Sequence, residues 1–546
     1  MKYISKKQLE DITLAGLCIT AGKMYKNRPA FAIFNDGKLS KQITYGQLEN
    51  RSQQIAAILK QYGIEKGNKV LLFSENNPDW PVAYFGIALT GAVSVPLLTG
   101  FSGEQVQNII NHSGVSAVCI SSVMKEKYEQ MTALPEFQKI PVICIDKIPE
   151  NQVQYTNEKI ENNFSEAQFL VFQKPDDLAT IIYTSGTQGN SKGVMLSSKN
   201  IISSALSSFS FSKIYSYDRF LSVLPLAHSY ECCLGLIAPV IRGASVTYLD
   251  KPPSPTVLLP ALKALRPTVM VSVPLLIEKI YNNAIAPKLC KSKLYKFPAT
   301  RSLAAWFAGR KLLSALGGCI RIFGIGGAPL SPDVEYFLNK AKFPYCIGYG
   351  LTEAAPLVAG NSPLRFKLKS GIEAPKNVLL RIVKCLTNGH SNEGEIQVKG
   401  PNIMLGYYND ELKTSETITI DGWLRTGDLG HLDKKGKLHI RGRLKALILG
   451  PSGENIYPEE IESLLGSSRL IEESLVYSGK KGELVALVRL SEAAKTAAGV
   501  IEHTLEDLRT WVNKKLAAFS KLSRIEIKYE PFEKTPTMKI KRYLYL

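Results

Sequence analysis

The 546-residue sequence lacks several features that would assign it to common protein classes. Its nine cysteines are an odd number without any CxxC spacing, which argues against zinc or a disulfide framework and for a reducing compartment. No apolar segment at the N-terminus resembles a secretory signal. Acidic residues are scarce, 48 against 67 basic ones, giving a net charge of +19. That balance favours anionic partners, such as nucleotides, CoA, acidic carrier proteins or membrane surfaces, without choosing among them.

Charge is missing entirely from the run between Trp80 and Gly103. Its length would suit a membrane-spanning helix, which needs about 20 apolar residues. Pro81, Pro96 and several glycines interrupt the run, however, and a strand-like segment precedes it. We therefore predict a buried helix followed by a buried strand, in a cytoplasmic protein.

No acidic residue occurs between Lys279 and Pro332. This stretch interleaves basic residues with aromatic ones: Lys288, Lys291, Lys293, Lys296, Arg301, Arg310 and Lys311 with Tyr295, Phe297, Trp306 and Phe307. A basic helix with aromatics can lie on an anionic membrane surface, so 288–311 is a candidate for peripheral membrane contact. A solvated face above core aromatics explains the pattern equally well, and both interpretations stay open.

Strands and helices alternate through the first half of the chain, which predicts an α/β domain with a mostly parallel sheet. The strands expected there are 69–73, 116–120, 142–145, 178–182, 220–224, 244–249 and 269–273. Later amphipathic strands (378–383, 395–399 and 438–440) indicate a smaller antiparallel or barrel-like sheet. After Lys445 helices 457–465 and 502–519 alternate with strands 484–490 and 525–529, as in a compact α+β domain. We predict two domains, 1–444 and 445–546.

The segment Tyr183–Gly193 (YTSGTQGNSKG) follows an apolar strand and precedes a helix capped by Ser197 or Ser198. Its glycines allow backbone N–H groups to point inward, its hydroxyls donate, and Lys192 supplies charge, as a phosphate site requires. It is not a P-loop, because Gly193 follows the lysine where Ser or Thr is needed. A flexible surface loop is the plainer alternative.

Two further strands end in suggestive loops. The first leads into Gly324–Pro329, which imitates a dinucleotide fingerprint but has Pro329 where the third glycine belongs. The second leads into GYGLTE, where Tyr349, Thr352 and Glu353 offer an exposed aromatic ring, a hydroxyl and a carboxylate. Such a set would suit stacking of a base and binding of a metal, or merely the packing of a tyrosine.

Taken together, these segments resemble the AMP-forming adenylate family, which includes acyl-CoA synthetases, luciferases and adenylation domains. The resemblance covers nearly the whole chain, and the motifs stand in the family's order: YTSGTQGNSKG, LPLAHSYE, GGAPL, GYGLTE, WLRTGDLG, GRLK, SGENIYPEEIE and TPTMKIKR. Within the family the chain looks most like bacterial long-chain fatty-acid ligases, with Met538 where many members have glycine. The resemblance implies ATP and Mg²⁺ as cofactors and a small C-terminal domain that moves.

The resemblance also implies roles for individual residues. Thr184, Ser185, Gly186, Thr187 and Lys192 would hold the ATP phosphates, while Gly326, Gly327, Ala328, Pro329, Tyr349 and Gly350 would form the adenine slot. Thr352 would contact the α-phosphate, and Glu353 would bind Mg²⁺. Asp428 would accept from the ribose hydroxyls, with Arg443 assisting, and Lys539 would bridge the substrate carboxylate and the α-phosphate. Lys445 and Ala446 would form the hinge, where many relatives have aspartate at the second position.

Several alternatives remain at this stage. His228 and Glu231 are expected to lie at the acyl pocket: we expect His228 to shape the pocket rather than to act as a general base, and Glu231 could have a structural role. The acceptor thiol could belong to CoA, which we expect, or to the phosphopantetheine of an acyl carrier protein. An aryl- or amino-acid-activating enzyme and a non-catalytic nucleotide- or lipid-binding relative are the remaining rivals. Nucleic acid is not an expected partner. A medium- or long-chain fatty acid is the expected substrate.

Overall fold

The computed structural model describes residues 3–148, 173–184, 191–363, 368, 370–384, 393–449, 455–468, 470–479, 482–491, 494, 501–535 and 539–545. Two large sheets, each covered by helices, make up most of the first 360 residues. A four-stranded antiparallel sheet follows, and a separate three-stranded sheet lies in the C-terminal region. This mixed α/β architecture confirms the fold class expected from the sequence. The boundary at residue 445 stays a prediction.

The seven-stranded sheet has a parallel centre and an antiparallel edge. In spatial order its strands are Gly406–Tyr407, Lys192–Ser197, Leu178–Thr184, Val93–Pro96, Lys69–Phe73, Val115–Ile120 and Val142–Cys144. The Leu178–Thr184 and Lys192–Ser197 strands form an antiparallel pair in which Thr184 lies opposite Lys192. The predicted phosphate-binding segment therefore connects two strands at one edge of this sheet.

The eight-stranded sheet is parallel except at its two ends. Its strands, in spatial order, are Leu357–Gly360, Tyr345–Gly350, Ile322–Ile325, Val269–Ser272, Arg219–Leu221, Ser245–Leu249, Pro29–Asn35 and Lys38–Thr44. The last two strands were not predicted. The carboxyl ends of parallel neighbours meet at one edge of a sheet, which is where open α/β sheets bind ligands. The predicted Gly324–Pro329 and GYGLTE loops both leave this edge.

The four-stranded sheet contains Leu379–Val383, Gly394–Lys399, Leu424–Leu432 and Leu438–Arg443. The WLRTGDLG motif, which the sequence placed between strands, is itself largely a strand of this sheet. The C-terminal region has a two-stranded pair, Ile448–Leu449 with Asn455–Ile456, and a three-stranded sheet of Ile471–Ser478, Leu484–Leu490 and Arg524–Ile527. The Ile471–Ser478 strand was also missed, because its charged residues obscure the alternation.

Helices cover both large sheets. The described α-helices are Lys6–Glu10, Leu14–Met24, Tyr45–Gln61, Asp79–Leu89, Gly103–Ser113, Ser122–Met131, Pro135–Gln138, Ser198–Ser208, Ala238–Arg242, Pro255–Leu265, Pro274–Ile280, Ala286–Lys291, Lys293–Lys296, Pro298–Ala315, Pro332–Lys340, Glu411–Thr417, Pro458–Gly466 and Ile501–Asn513. Two π-helical segments, Glu231–Ile237 and Tyr281–Ile285, continue into helices. The last helix is shorter than predicted, because Ala518–Ser520 forms a separate 3₁₀ turn.

The uncharged run forms the buried Asp79–Leu89 helix and the buried Val93–Pro96 strand, as predicted. Trp80 at its start is fully buried. None of the helices in the described part of the chain is both long and apolar enough to cross a membrane. The hydrophobicity of this run therefore reflects the protein core.

Candidate active site

Asp428 is the centre of a short polar cluster formed by three strands. It lies in the Leu424–Leu432 strand directly opposite Arg443, the last residue of the neighbouring strand. Its Oδ1 pairs with Arg443 Nε at 2.8 Å, and its Oδ2 accepts a hydrogen bond from the Tyr349 hydroxyl at 2.6 Å. Two widely separated sequence motifs, GYGLTE and WLRTGDLG, therefore meet at one carboxylate.

The electrostatics of this cluster follow from its burial. Asp428 is only 5% exposed, and burial raises its pKa, while the Arg443 charge and the Tyr349 hydroxyl oppose that rise. The Asp428 charge in turn raises the pKa of Arg443. Burial raises the pKa of Tyr349 well above its ordinary value, so its hydroxyl keeps its proton and donates. Tyr349 is half-buried, not exposed as the sequence indicated.

Thr352 and Glu353 occupy a 3₁₀ turn, Thr352–Ala354, that follows the Tyr345–Gly350 strand. The Thr352 hydroxyl lies 3.1 Å from that of Ser229, and Glu353 Oε1 accepts a hydrogen bond from the Tyr407 hydroxyl at 2.9 Å. Neither Ser229 nor Tyr407 was chosen from the sequence. Ser229 is part of the LPLAHSYE motif, but nothing in the sequence distinguished Tyr407 from its neighbour Tyr408.

Lys192, in the predicted phosphate-binding segment, lies near the tyrosine that contacts this carboxylate. Its Nζ lies 5.3 Å from the centre of the Tyr407 ring, and the Gly406–Tyr407 strand pairs with the strand that Lys192 begins. Burial lowers the pKa of Lys192, and the charges of Lys413 and Lys445 lower it further. Thr184 lies at the end of the facing strand. Ser185, Gly186 and Thr187 lie outside the described residues.

The turn predicted to hold adenine follows the buried Ile322–Ile325 strand. Gly326 is buried and donates its N–H to the Ser272 carbonyl at 3.1 Å, whereas Gly327, Ala328 and Pro329 are exposed. Gly327 has a φ of +86°, which only glycine adopts readily. A Cβ at Gly350 would lie 1.9 Å from the Pro356 carbonyl oxygen, so the chain approaches itself too closely for another residue there.

Lys539, from the C-terminal tail, reaches this cluster electrostatically. Its positive charge acts on the pKa values of both His228 and Asp428. Although part of the lysine remains exposed, desolvation by the surrounding protein lowers its pKa, as does Arg443, while Asp428, Glu459 and Glu353 oppose the shift. Lys539 therefore lies within range of charge interactions with groups of this cluster.

His228 and Glu231 belong to one segment but have different surroundings. Burial, together with the Lys539 charge, lowers the pKa of His228 to about 4; its Nδ1 accepts from the Tyr230 N–H at 3.2 Å. Glu231 is fully buried, accepts a hydrogen bond from Ser222 at 2.5 Å, and has its pKa raised to about 8 by burial. His228 therefore lies beside the cluster, and Glu231 lies in the core beneath it.

Lys445 and Ala446 lie in a 3₁₀ turn, Leu444–Ala446, immediately after Arg443. The turn separates the four-stranded sheet from the C-terminal region. Two contacts join residues before the turn to residues after it: Arg441 contacts Glu460 at 3.4 Å, and the Tyr457 hydroxyl donates to Glu393 at 2.8 Å. These exposed or half-buried polar contacts join the two parts near the turn.

Comparison with known proteins places this site in a family. The family model described as "AMP-binding enzyme" matches residues 20–408, well over half of the chain. The chain belongs to the AMP-binding enzyme family. Its phosphate-segment lysine, Lys192, and the GYGLTE residues fall within the matched part, whereas Asp428, Arg443 and Lys539 lie beyond it.

The curated relatives of this AMP-binding enzyme include acid–CoA ligases. Long chain acyl-CoA synthetase 6, peroxisomal, from Arabidopsis thaliana is 30% identical, over 92% of this chain and 79% of that protein. Long-chain-fatty-acid–CoA ligase FadD15 from Mycobacterium bovis is 29% identical, over 83% and 78%. The 4-coumarate–CoA ligase 1 of Petroselinum crispum is 27% identical, over 93% and 89%. The resemblance to long-chain acyl-CoA ligases expected from the sequence is confirmed.

Solved structures show the same fold. The o-succinylbenzoate CoA synthetase of Bacillus subtilis, determined with an acyl-adenylate, superposes with a TM-score of 0.75 and covers 98% of each chain at 23% identity. At this identity the likeness concerns the fold alone. It extends through the C-terminal region, which the family model does not reach.

In this AMP-binding enzyme the tertiary structure links eight of the predicted site residues through short contacts or charge interactions. The linked residues are Lys192, Tyr349, Thr352, Glu353, Asp428, Arg443, Lys539 and His228, with Tyr407 and Ser229 as unpredicted connections. Glu231 does not join them, because its carboxyl group is enclosed in the core. The roles of these residues remain proposals.

Proposed function

We propose that this enzyme activates a medium- or long-chain fatty acid with ATP, forming an acyl-adenylate and pyrophosphate, and then transfers the acyl group to the thiol of CoA. The observation that carries the proposal is that Asp428 joins three of the motifs, through the Tyr349 hydroxyl at 2.6 Å and Arg443 Nε at 2.8 Å. The names of the long-chain acyl-CoA ligases among its relatives support the substrate.

In the first half-reaction a carboxylate oxygen attacks the α-phosphorus, and negative charge builds on the phosphoryl oxygens. Lys192 and Lys539 would neutralise that charge, and the Thr352 hydroxyl, which lies 3.1 Å from the Ser229 hydroxyl, would donate to it. Asp428 would accept hydrogen bonds from the ribose hydroxyls. The protein's main contribution is positioning, because phosphoryl transfer asks for little covalent chemistry from side chains.

The residues fit a magnesium ion that is shared with the substrate. Mg²⁺ is commonly held by one or two carboxylates together with substrate phosphates, and Glu353 is a carboxylate near Lys192. The Tyr407 hydrogen bond fixes one of its oxygens. A bound Mg²⁺ would supply further neutralisation of phosphate charge.

The second half-reaction requires the cleft to admit a thiol. We propose that residues 445–546 turn about Lys445–Ala446, which withdraws Lys539 and opens a route for the pantetheine arm. The position of this turn, directly after Arg443, supports the proposal. The few polar contacts that join the two parts near the turn, such as Arg441 with Glu460, could be exchanged at small energetic cost.

The acyl acceptor and the acid substrate each have an alternative candidate. An acyl carrier protein offers the same phosphopantetheine thiol as CoA, and the net charge of +19 would suit either. The 4-coumarate–CoA ligase relatives support an aryl acid as the second candidate substrate. The cytoplasmic location also stays part of the proposal, since one relative is named as peroxisomal.

The deciding measurement is pyrophosphate release with ATP and Mg²⁺ across fatty acids of increasing length, aryl acids and amino acids. Each acid would be tested with CoA and separately with phosphopantetheinylated carrier protein, and the thioester product identified. Release that peaks on long fatty acids, with acyl-CoA as product, is expected. A response confined to aryl or amino acids would overturn the substrate, and acyl transfer only to the carrier protein would overturn the acceptor.

A further inference from the structure

Helix Pro298–Ala315 and the segment before it place large apolar side chains in solvent. The exposed fractions are 50% for Leu294, 67% for Phe297, 50% for Leu303, 41% for Trp306 and 52% for Phe307. A solvated helix normally turns such residues inward. The alternative of a solvated face above core aromatics therefore fails for Phe297, Trp306 and Phe307, which are exposed, whereas Tyr295 packs against the core.

The apolar side chains form one surface. Along the helix, Leu303, Trp306, Phe307 and Arg310 are spaced three to four residues apart and share one face, whereas Ala304, Ala305, Gly309 and Leu312 face the core. The rings of Trp306 and Phe307 are in edge-to-face contact, with centroids 5.1 Å apart. This surface is thus a continuous ridge beside the buried face of the same helix.

The preceding segment is fixed against the start of that helix. The Thr300 hydroxyl donates to the Leu294 carbonyl at 2.6 Å, and Arg301 Nε donates to the Tyr295 carbonyl at 3.2 Å. These bonds hold Leu294 and Phe297 next to the helix. We call Leu294, Phe297, Leu303, Trp306 and Phe307, with their neighbouring cations, the basic aromatic surface.

All charged side chains of this surface are basic, and no acidic residue occurs between Lys279 and Pro332. Lys288, Lys291, Lys293, Lys296, Arg310 and Lys311 are exposed, and Arg301 is half-buried. No ion pair within the described part of the chain joins any of them to a carboxylate. Arg301 and Arg310 instead lie over the rings of Tyr295 and Trp306, at 5.5 and 5.9 Å.

We propose that the basic aromatic surface docks the enzyme on a membrane whose headgroups are anionic. Exposed Trp, Phe and Leu side chains can enter the headgroup region, and the surrounding lysines and arginines pair with lipid phosphates. An acidic protein would match the cations but would leave several exposed apolar side chains without a lipid-like environment. An anionic bilayer matches both the cations and the exposed apolar side chains. The inference rests on this surface and not on the proposed function.

The test is flotation of the full chain with vesicles of phosphatidylcholine alone and with a third of phosphatidylglycerol, at low and high salt. We expect binding to the anionic vesicles that weakens with salt. The double variant Phe297→Ser/Trp306→Ser and the double variant Lys293→Gln/Lys296→Gln should each weaken it at least about tenfold. Exposed residues are changed in both, so melting temperatures should match that of the parent.

Matched controls come from elsewhere on the chain. Tyr62→Ser/Val123→Ser removes comparably exposed apolar side chains, and Lys434→Gln/Lys435→Gln removes two exposed lysines; neither should change vesicle binding. Glycerophosphoglycerol at the same phosphate concentration should not compete, since it lacks acyl chains. Equal binding to neutral and anionic vesicles, unchanged vesicle binding of the two surface variants, or no vesicle binding by the parent would each overturn the proposal.

Discussion

The Tyr349 hydroxyl donates a hydrogen bond to Asp428 Oδ2 at 2.6 Å, while Arg443 pairs with the other oxygen at 2.8 Å. Each oxygen of the carboxylate proposed to bind ribose therefore already has one protein partner. A ribose hydroxyl would use a remaining lone pair of the carboxylate or replace the tyrosine's hydrogen bond. The ring proposed to stack on adenine and the carboxylate proposed to hold ribose are thus set in position by each other.

From this relationship we expect two conservative variants to change the KM for ATP to different extents. Tyr349→Phe keeps the ring and frees the acceptor oxygen, so the KM for ATP should change less than about threefold. Asp428→Asn removes a charged acceptor, worth roughly 1.5–3 kcal/mol, and should raise that KM at least about tenfold. Pyrophosphate release against ATP concentration measures both. Similar effects of the two changes would contradict the assignment of Asp428 to ribose.

Tyr407 is expected to tune the magnesium site through Glu353. Partners that orient a metal-ligating carboxylate typically contribute a factor of about 10–100 in metal affinity. Tyr407→Phe should therefore raise the Mg²⁺ concentration needed for half-maximal pyrophosphate release at least about tenfold. Tyr408→Phe, next in the chain, is the control and should leave it unchanged. An unaltered Mg²⁺ requirement in Tyr407→Phe would show that the hydrogen bond has no such role.

Lys539→Ala should separate the two half-reactions. Loss of one charge-stabilising group typically lowers the rate about 10²–10³-fold, so acyl-adenylate formation should fall by that order. Transfer from a supplied acyl-adenylate to CoA should remain largely intact, as measured by thioester formation. Lys541→Ala, whose lysine pairs with Glu533 at 3.3 Å, is the control. An equal loss in both half-reactions would argue against the proposed role.

Glu231 is expected to make stability fall as pH rises. Its pKa is raised from 4.5 to about 8 in the folded protein, so between these values the unfolded chain has lost a proton that the folded one keeps. Unfolding is thus favoured by rising pH in that window. Relative to Glu231→Gln, the free energy of unfolding should fall on the order of 3 kcal/mol from pH 5 to 8. Urea unfolding at both pH values measures this difference.

The exposed Glu129→Gln is the control for that experiment, and it should show the same pH dependence as the parent. Parallel curves for the parent and Glu231→Gln would show that the buried carboxyl has no raised pKa. Pyrophosphate release by Glu231→Gln should persist, because the Glu231 side chain lies in the core and not among the polar groups of the site.

Local sequence patterns were sufficient to predict most of the buried strands and the starts of their following helices. Apolar runs bounded by turn residues gave the central strands of both large sheets, and Thr44 and Ser197 cap the helices that follow them as the residue type predicts. The Pro29–Asn35 strand was missed although it is uncharged and paired on both sides. Other missed strands lie at sheet edges or carry charged residues, as Lys38–Thr44 and Ile471–Ser478 do. Such strands depend on their neighbours for their stability, so local alternation does not identify them.

The site likewise has residues that the sequence identifies and contacts that only the fold reveals. Residue types and order in the sequence determined the family, the phosphate-segment lysine Lys192 and the carboxylates Glu353 and Asp428. Only the tertiary structure decided that Tyr407 holds Glu353, that Ser229 meets Thr352 and that Tyr349 is tied to Asp428. These contacts join residues far apart in the chain, and side-chain hydrogen bonds of this kind follow from how sheets and loops pack. The sequence carries the chemistry of each group, whereas the fold determines which groups meet.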